Sequence, residues 1–224
     1  MSIGDSVKII IAAMPPDSTL IAVSKTRTLE EIREAYQAGT RDFGENKVQE
    51  LVEKYDLLEE KVNWHLLGHL QTNKVKYIVG RVKLIHSLDS IKLLKEIEKQ
   101  YSKKGLIAET LIQINIGREA SKTGINIDKL QELILEASKC SFVKIEGLMA
   151  IIPIGSEISS RHYFKEMKNI FDDLALKKYD NIKMKYLSMG MSQDYKFALE
   201  EGSNMIRIGQ GIFGKRDYYN QGGV

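Results

Sequence analysis

The apolar run Leu20-Ile21-Ala22-Val23-Ser24 ends on Lys25, and Thr26-Arg27 and a helix start follow at once. A lysine at the carboxyl end of a strand, held against apolar neighbours, sheds part of its hydration. That lowers its pKa and frees a neutral amine for attack on a carbonyl. Position alone favours a solvated lysine at a strand exit, since buried or reactive lysines are rare. The other end of the chain changes the balance. There Asn204 to Gly214 reads N-M-I-R-I-G-Q-G-I-F-G, a short apolar strand running into a glycine-rich turn. Gly209 and Gly211 permit backbone geometry closed to other residues, and the clustered N–H groups of such a turn form a nest for an anion. Arg207 is a permanent cation inside that apolar strand and needs either a carboxylate or a ligand. A G-x-G turn alone is weak evidence. An amine, a phosphate nest and an inward arginine together point to a phosphorylated aldehyde, with pyridoxal phosphate the leading candidate.

These residues need a frame to bring them together, and the chain supplies one. Strand-like runs alternate with amphipathic segments. Strands are expected at Leu20–Ser24, in a short run ending at Phe43-Gly44, at Asn63–Leu67, Lys83–Ser87, Thr110–Ile116, Val143–Ala150, Met184–Ser188 and Met205–Ile208. Thr28 with Glu31 forms a capping box for the first intervening helix, and Gly39 sits where a helix C-terminus belongs. A lysine-rich helix is expected after Gly68-His69-Leu70-Gln71, and Ser192 is placed at the start of the helix after the seventh strand. Eight short alternations fit an α/β fold of one class, a single (β/α)8 TIM barrel, better than an open doubly wound sheet. One domain is drawn over residues 1–224, with 1–18 a helical extension and 215–224 a tail. In such a barrel Lys25, Asn46, Gly68 to Gln71, Met149, Ser188 to Ser192 and Arg207 to Gly211 all follow strands and share one rim.

Composition narrows the rest. The 224 residues are 43% hydrophobic and 28% charged, with a net charge of +3 and both signs interspersed, as in ordinary globular proteins. No basic stripe with interleaved aromatics appears, so nucleic acid is not an expected partner. Cys140 is the single cysteine, which excludes disulfide frameworks and cysteine metal clusters. No stretch reaches membrane-spanning length, and Pro15-Pro16 interrupts the apolar patch from Ile9 to Met14. A cytoplasmic protein with no membrane partner is expected. His65 and His69 are four apart with a glycine between them, His86 and His162 lack ligand spacing, and no metal site is expected.

The residues also resemble a known family, the pyridoxal phosphate homeostasis or PLP-binding proteins. The matching segments are A-V-S-K-T (Ala22 to Thr26), F-G-E-N (Phe43 to Asn46), W-H-L-L-G (Trp64 to Gly68) and L-Q-T-N-K (Leu70 to Lys74). They continue with S-K-T-G-I (Ser121 to Ile125), G-L-M-A-I (Gly147 to Ile151), M-G-M-S-Q-D (Met189 to Asp194) and R-I-G-Q-G-I-F-G (Arg207 to Gly214). The resemblance implies the barrel of the alanine racemase N-terminal domain and a Schiff base between pyridoxal 5′-phosphate and Lys25. It also implies backbone N–H groups of Met191, Gly209 and Gln210 and the hydroxyl of Ser192 on the phosphate. Asn46 would line the pocket near the ring, Met149 would pack against it or serve only the core, and Arg207 would face the pyridine nitrogen. An arginine there discourages protonation of that nitrogen, so the ring is a weak electron sink. Gln210 stands where many members carry Thr or Ser, His69 where they carry Pro, and the segment before Lys25 is shorter than usual.

The function implied is a carrier that buffers pyridoxal phosphate inside the cell and passes it on, as a monomer, with PLP-dependent apo-enzymes as recipients. A single-domain PLP-dependent amino-acid racemase is the alternative. Two-base racemisation needs a second acid/base opposite Lys25, and Tyr218 and Tyr219 in the tail have no evident means of placement. A barrel that binds a phosphosugar without covalent chemistry is the third reading.

Overall fold

The computed structural model describes residues 1–119 and 123–215. Helix α1 (Ile3–Ala12) precedes strand β1 (Thr19–Val23). There follow α2 (Leu29–Gln37), β2 (Asp42–Glu45), α3 (Val48–Leu57), β3 (Asn63–Leu66), a 3₁₀ helix (Thr72–Tyr77) and β4 (Leu84–Leu88). Next come α4 (Ile91–Ser102), β5 (Ala108–Ile114), α5 (Ile127–Ala137), β6 (Val143–Ala150) and α6 (Glu157–Ala175). β7 (Ile182–Ser188), α7 (Tyr195–Glu200), β8 (Met205–Ile208) and α8 (Gln210–Phe213) complete the order. The eight strands are parallel and close in sequence order, with β1 returning to β8 through the register Ile21 to Arg207. This is the (β/α)8 barrel expected from the alternation.

A closed parallel sheet has two buried faces, and its side chains sort by parity. On β1, Leu20 and Ala22 join the large apolar layer between strands and helices. Ile21 turns inward to a second, smaller cluster with Leu67, Leu84, Leu111, Met149 and Met205, which fills the barrel. The same parity places Val23 against that inner cluster and continues to Lys25 at the mouth. Gly147 lies where β6 and β7 crowd each other. Its φ is +144°, and a Cβ there would stand 1.9 Å from the Tyr186 carbonyl oxygen.

The helix signals at the first connection hold: Thr28 caps α2, accepting from the Glu31 N–H while Glu31 reaches back to the Thr28 N–H. The connection between β3 and β4 differs from the lysine-rich α-helix expected. Its apolar residues Val75 and Ile78 are buried three apart, the repeat of a 3₁₀ turn, and the helical stretch is six residues long. Ser192 also sits outside a helix; α7 starts at Tyr195, with Asp194 in the cap position. Lys122, Tyr218 and Tyr219 lie outside the described residues.

Candidate functional site

A cavity of about 420 Å³ opens at the carboxyl ends of the strands, the face on which barrels of this class place their chemistry. Its wall includes Lys25, Met191, Ser192, Arg207, Gly209 and Gln210, so it unites the two ends of the chain. Two of the residues singled out from sequence lie elsewhere. Met149 is fully buried inside the barrel, and Asn46 borders a separate depression with His69 and Gln71.

The turn that carries Lys25 is clamped from behind. Ser24 has outward parity, and its hydroxyl donates to Glu45 Oε1 at 2.6 Å. Lys54 Nζ, from α3, donates to the Ser24 carbonyl at 2.7 Å and to Glu45 and Glu50 at 2.8 Å each. Thr26 adopts φ +65°, left-handed backbone that a β-branched residue enters only under constraint. Its N–H donates to Glu50, and the Arg27 N–H returns to the Ser24 carbonyl at 3.0 Å. The strain sits one residue after Lys25 and fixes the direction in which the chain leaves the strand. Burial pushes the Glu45 carboxyl up to about 6 despite the opposing charge and hydrogen bond of Lys54.

Across the cavity, Gly209 follows β8 in contact range of Val23, and Gly211 lies in the first turn of α8. The Gly211 N–H donates to Ser192 Oγ at 3.2 Å, which ties the loop after β7 to α8. The Met191 N–H donates to Asp194 Oδ1 at 2.6 Å. Below this rim lies Arg207, 4% exposed, with Nη1 on Ser188 Oγ at 2.6 Å and Nη2 on the Ala150 carbonyl at 2.8 Å. Burial brings its pKa down to about 10, Asp194 being the opposing charge.

Sequence reading missed what stands behind Arg207. Ser188 also meets His86 Nδ1 at 3.2 Å, His86 Nε2 meets His65 Nδ1 at 2.9 Å, and His65 Nε2 meets Asp42 Oδ1 at 2.9 Å. Lys83 closes the series on Asp42 at 2.8 Å. The signal was present, one histidine in the middle of each of two consecutive apolar strands, W-H-L and I-H-S. Among the described residues no cluster of three or more His, Cys, Asp or Glu could hold a metal ion.

The model of the alanine racemase N-terminal domain matches residues 2–217. The pyridoxal phosphate homeostasis protein of Aquifex aeolicus (strain VF5) is 42% identical over 201 residues, 89% of this chain and 87% of that one. The chain belongs to the pyridoxal phosphate homeostasis protein family. Among solved structures it is similar to PipY of Synechococcus elongatus PCC7942 with PLP bound, at TM-score 0.88 and 33% identity, covering 95% of this chain and 100% of that one. Alanine racemase of Clostridium difficile 630 superposes at TM-score 0.77 with 16% identity, covering 96% of this chain and 57% of that one, a likeness of fold. No helix among the described residues is long and apolar enough to cross a membrane.

Proposed function

We propose that this chain binds pyridoxal 5′-phosphate in the cavity at the strand ends, joined to Lys25 as a Schiff base, and that it buffers and supplies the vitamer inside the cell. Membership of the family supports the reading, and the observation that carries it is Arg207. Arg207, 4% exposed, has a hydroxyl and a carbonyl as its hydrogen-bond partners, and among the described residues it pairs with no carboxylate. A cavity built on a carboxylate-paired arginine would be satisfied without a ligand; this arginine lines the wall with Asp194 as its opposing charge but in no direct ion pair among the described residues. The unprotonated nitrogen of a pyridine ring suits it. The phosphate has a matching set at the rim, the Gly209–Gly211 turn and the Ser192 hydroxyl.

Bound pyridoxal phosphate supplies an aldehyde that condenses reversibly with a primary amine. The protein's own residues do the remainder. The clamp of Glu45, Glu50 and Lys54 holds the Lys25 turn, Arg207 favours the unprotonated ring nitrogen, and Met149 packs the barrel beneath. Met191 and Gln210 line the phosphate side, and Asn46 stands beyond the near wall. An arginine on the ring nitrogen weakens the ring as an electron sink, which suits holding over turning over. We assign the protein to the cytoplasm as a monomer, with PLP-dependent apo-enzymes as recipients.

Borohydride reduction followed by peptide mapping tests the reading. A mass addition of one reduced pyridoxal phosphate on the peptide holding Lys25, absent in Lys25→Ala, is expected. Protein saturated with the vitamer that gains no adduct, or gains it on another lysine, overturns it. Solvent deuterium entering the α-carbon of amino acids well above the buffer rate, lost in Lys25→Ala, would give the racemase reading instead.

A further inference from the structure

The buried polar series inside the barrel has a direction. Asp42 lies at the amino-terminal rim, where Lys83 also sits, and its carboxylate only accepts. His65 must therefore carry its proton on Nε2 to meet Asp42 Oδ1. A neutral His65 then has a bare Nδ1, which accepts from His86 Nε2–H. The same logic leaves His86 Nδ1 bare, so it accepts the hydroxyl proton of Ser188. With that proton committed, Ser188 Oγ has only lone pairs to offer, and Arg207 Nη1 donates to one of them. Every donor from Arg207 to Asp42 points the same way, toward the floor.

The electrostatics agree with two neutral imidazoles. Burial lowers the pKa of His65 against the pull of Asp42, and burial, with the charge of Arg207 adding to it, lowers that of His86 well below its usual value. Asp42 is held below its usual range, the hydrogen bonds from His65 and Lys83 outweighing its burial.

His65, His86 and Ser188 are fully buried in a barrel otherwise filled by Ile21, Leu84, Leu111 and Met205. Apolar residues at those positions would fill the space without desolvating two imidazoles. A satisfied network confers rigidity and a single orientation, and this one ends on a residue of the cavity wall. We propose that Asp42, His65, His86 and Ser188 are positioning residues that fix Arg207 as a hydrogen-bond donor toward the ring nitrogen of the bound vitamer. The proposal rests on the pyridoxal phosphate reading given above.

Two measurements test it, one of them without any ligand. In the ligand-free protein at neutral pH, ¹⁵N imidazole spectra should show His65 and His86 as neutral Nε2–H tautomers. A cationic form, or an Nδ1–H tautomer in either residue, overturns the chain of donors. In the second, protein loaded with ring-¹⁵N pyridoxal phosphate is compared across variants. Ser188→Ala should move the ring-nitrogen resonance and the visible absorption band and raise the dissociation constant about tenfold, the worth of one hydrogen bond to a charged group. Asp42→Ala should move both signals in the same direction, and Asp42→Asn, which keeps an oxygen for His65, should restore them. Variants that melt lower yet keep the wild-type resonance and band have lost only a structural network, and the proposal fails. If Asp42→Ala does not fold, Ser188→Ala and the tautomers decide. If the wild-type protein takes up no vitamer, the functional reading fails, and the imidazole spectra still judge the chain.

Discussion

Lys54→Met separates the electrostatic from the positional role of the ion pair behind Lys25. In the folded protein Lys54 Nζ satisfies Glu45, Glu50 and the Ser24 carbonyl, and the Glu45 side chain is wholly buried. With Lys54 present, folding raises the Glu45 pKa from 4.5 to about 6, burial being the larger effect and Lys54 its main opponent. A carboxyl with a raised folded pKa favours the folded state when protonated. That contribution is complete below pH 4.5 and is lost as pH rises through about 6. At 1.36 kcal/mol per pH unit, ionising Glu45 at neutral pH costs about 2 kcal/mol even in the wild type. Without Lys54 the opponent is gone, while Ser24 remains the donor to Oε1, and Oε2 has no hydrogen-bond partner.

Removing one member of a buried pair costs about 3–5 kcal/mol, and Lys54→Met is expected to lose this at pH 8. The loss should shrink as pH falls toward 5.5, where Glu45 regains its proton. Urea unfolding at the two pH values, with an unchanged dependence on denaturant, measures it. The double variant Glu45→Gln/Lys54→Met should recover to within about 1 kcal/mol of wild type and lose the pH dependence, because no buried charge remains unpaired. It should still form the Lys25 adduct more slowly than wild type, since the Ser24 carbonyl lacks its donor and the strained Thr26 turn is less constrained. Equal destabilisation at both pH values, or a double variant no more stable than Lys54→Met, would refute the assignment of the cost to Glu45.

Three further outcomes follow from the packing. Gly147→Ala puts a Cβ 1.9 Å from the Tyr186 carbonyl oxygen at φ +144°; forcing β6 from β7 should cost at least about 3 kcal/mol, seen as a fall in melting temperature of roughly 10 °C. Thr28→Ala removes the cap of α2 and should cost about 1 kcal/mol in chemical denaturation with no change in adduct formation at Lys25. Burial, with Glu98 adding to it, pushes the Cys140 thiol up to about 11, so alkylation by iodoacetamide at pH 8 should run at least about tenfold slower than for a free cysteine.

The legible parts of this protein are those whose chemistry is local to the chain. Thr28 and Glu31 announce a capping box because both partners lie within one turn, and Val143–Ala150 and Met205–Ile208 announce strands by composition alone. Lys25 and the Arg207–Gly211 turn are readable for the same reason, since each sits where an apolar strand stops. The supporting residues are not local. A barrel strand is buried on both faces, so apolar neighbours do not reveal which way His65 or His86 turns. Parity becomes known only with the register that sets His65 opposite Leu84 and Ser188 opposite Met205. Lys54 reads from sequence as one more charge on a solvated helix, four residues after Glu50, yet its amine reaches back to Ser24, 30 residues earlier. For Asn46 the strand is readable and the loop after it is not. The residue continues the parity of Asp42 and Gly44, but β2 ends at Glu45, and the chain turns away to let Asn46 approach Gly68. A Cβ at Gly68 would stand 2.1 Å from the Asn46 carbonyl oxygen, so that glycine serves the path of the loop after β2, and the W-H-L-L-G segment carries two separate requirements. Its histidine belongs to the inward series that ends on Arg207, and its glycine to the loop that carries Asn46 past the cavity.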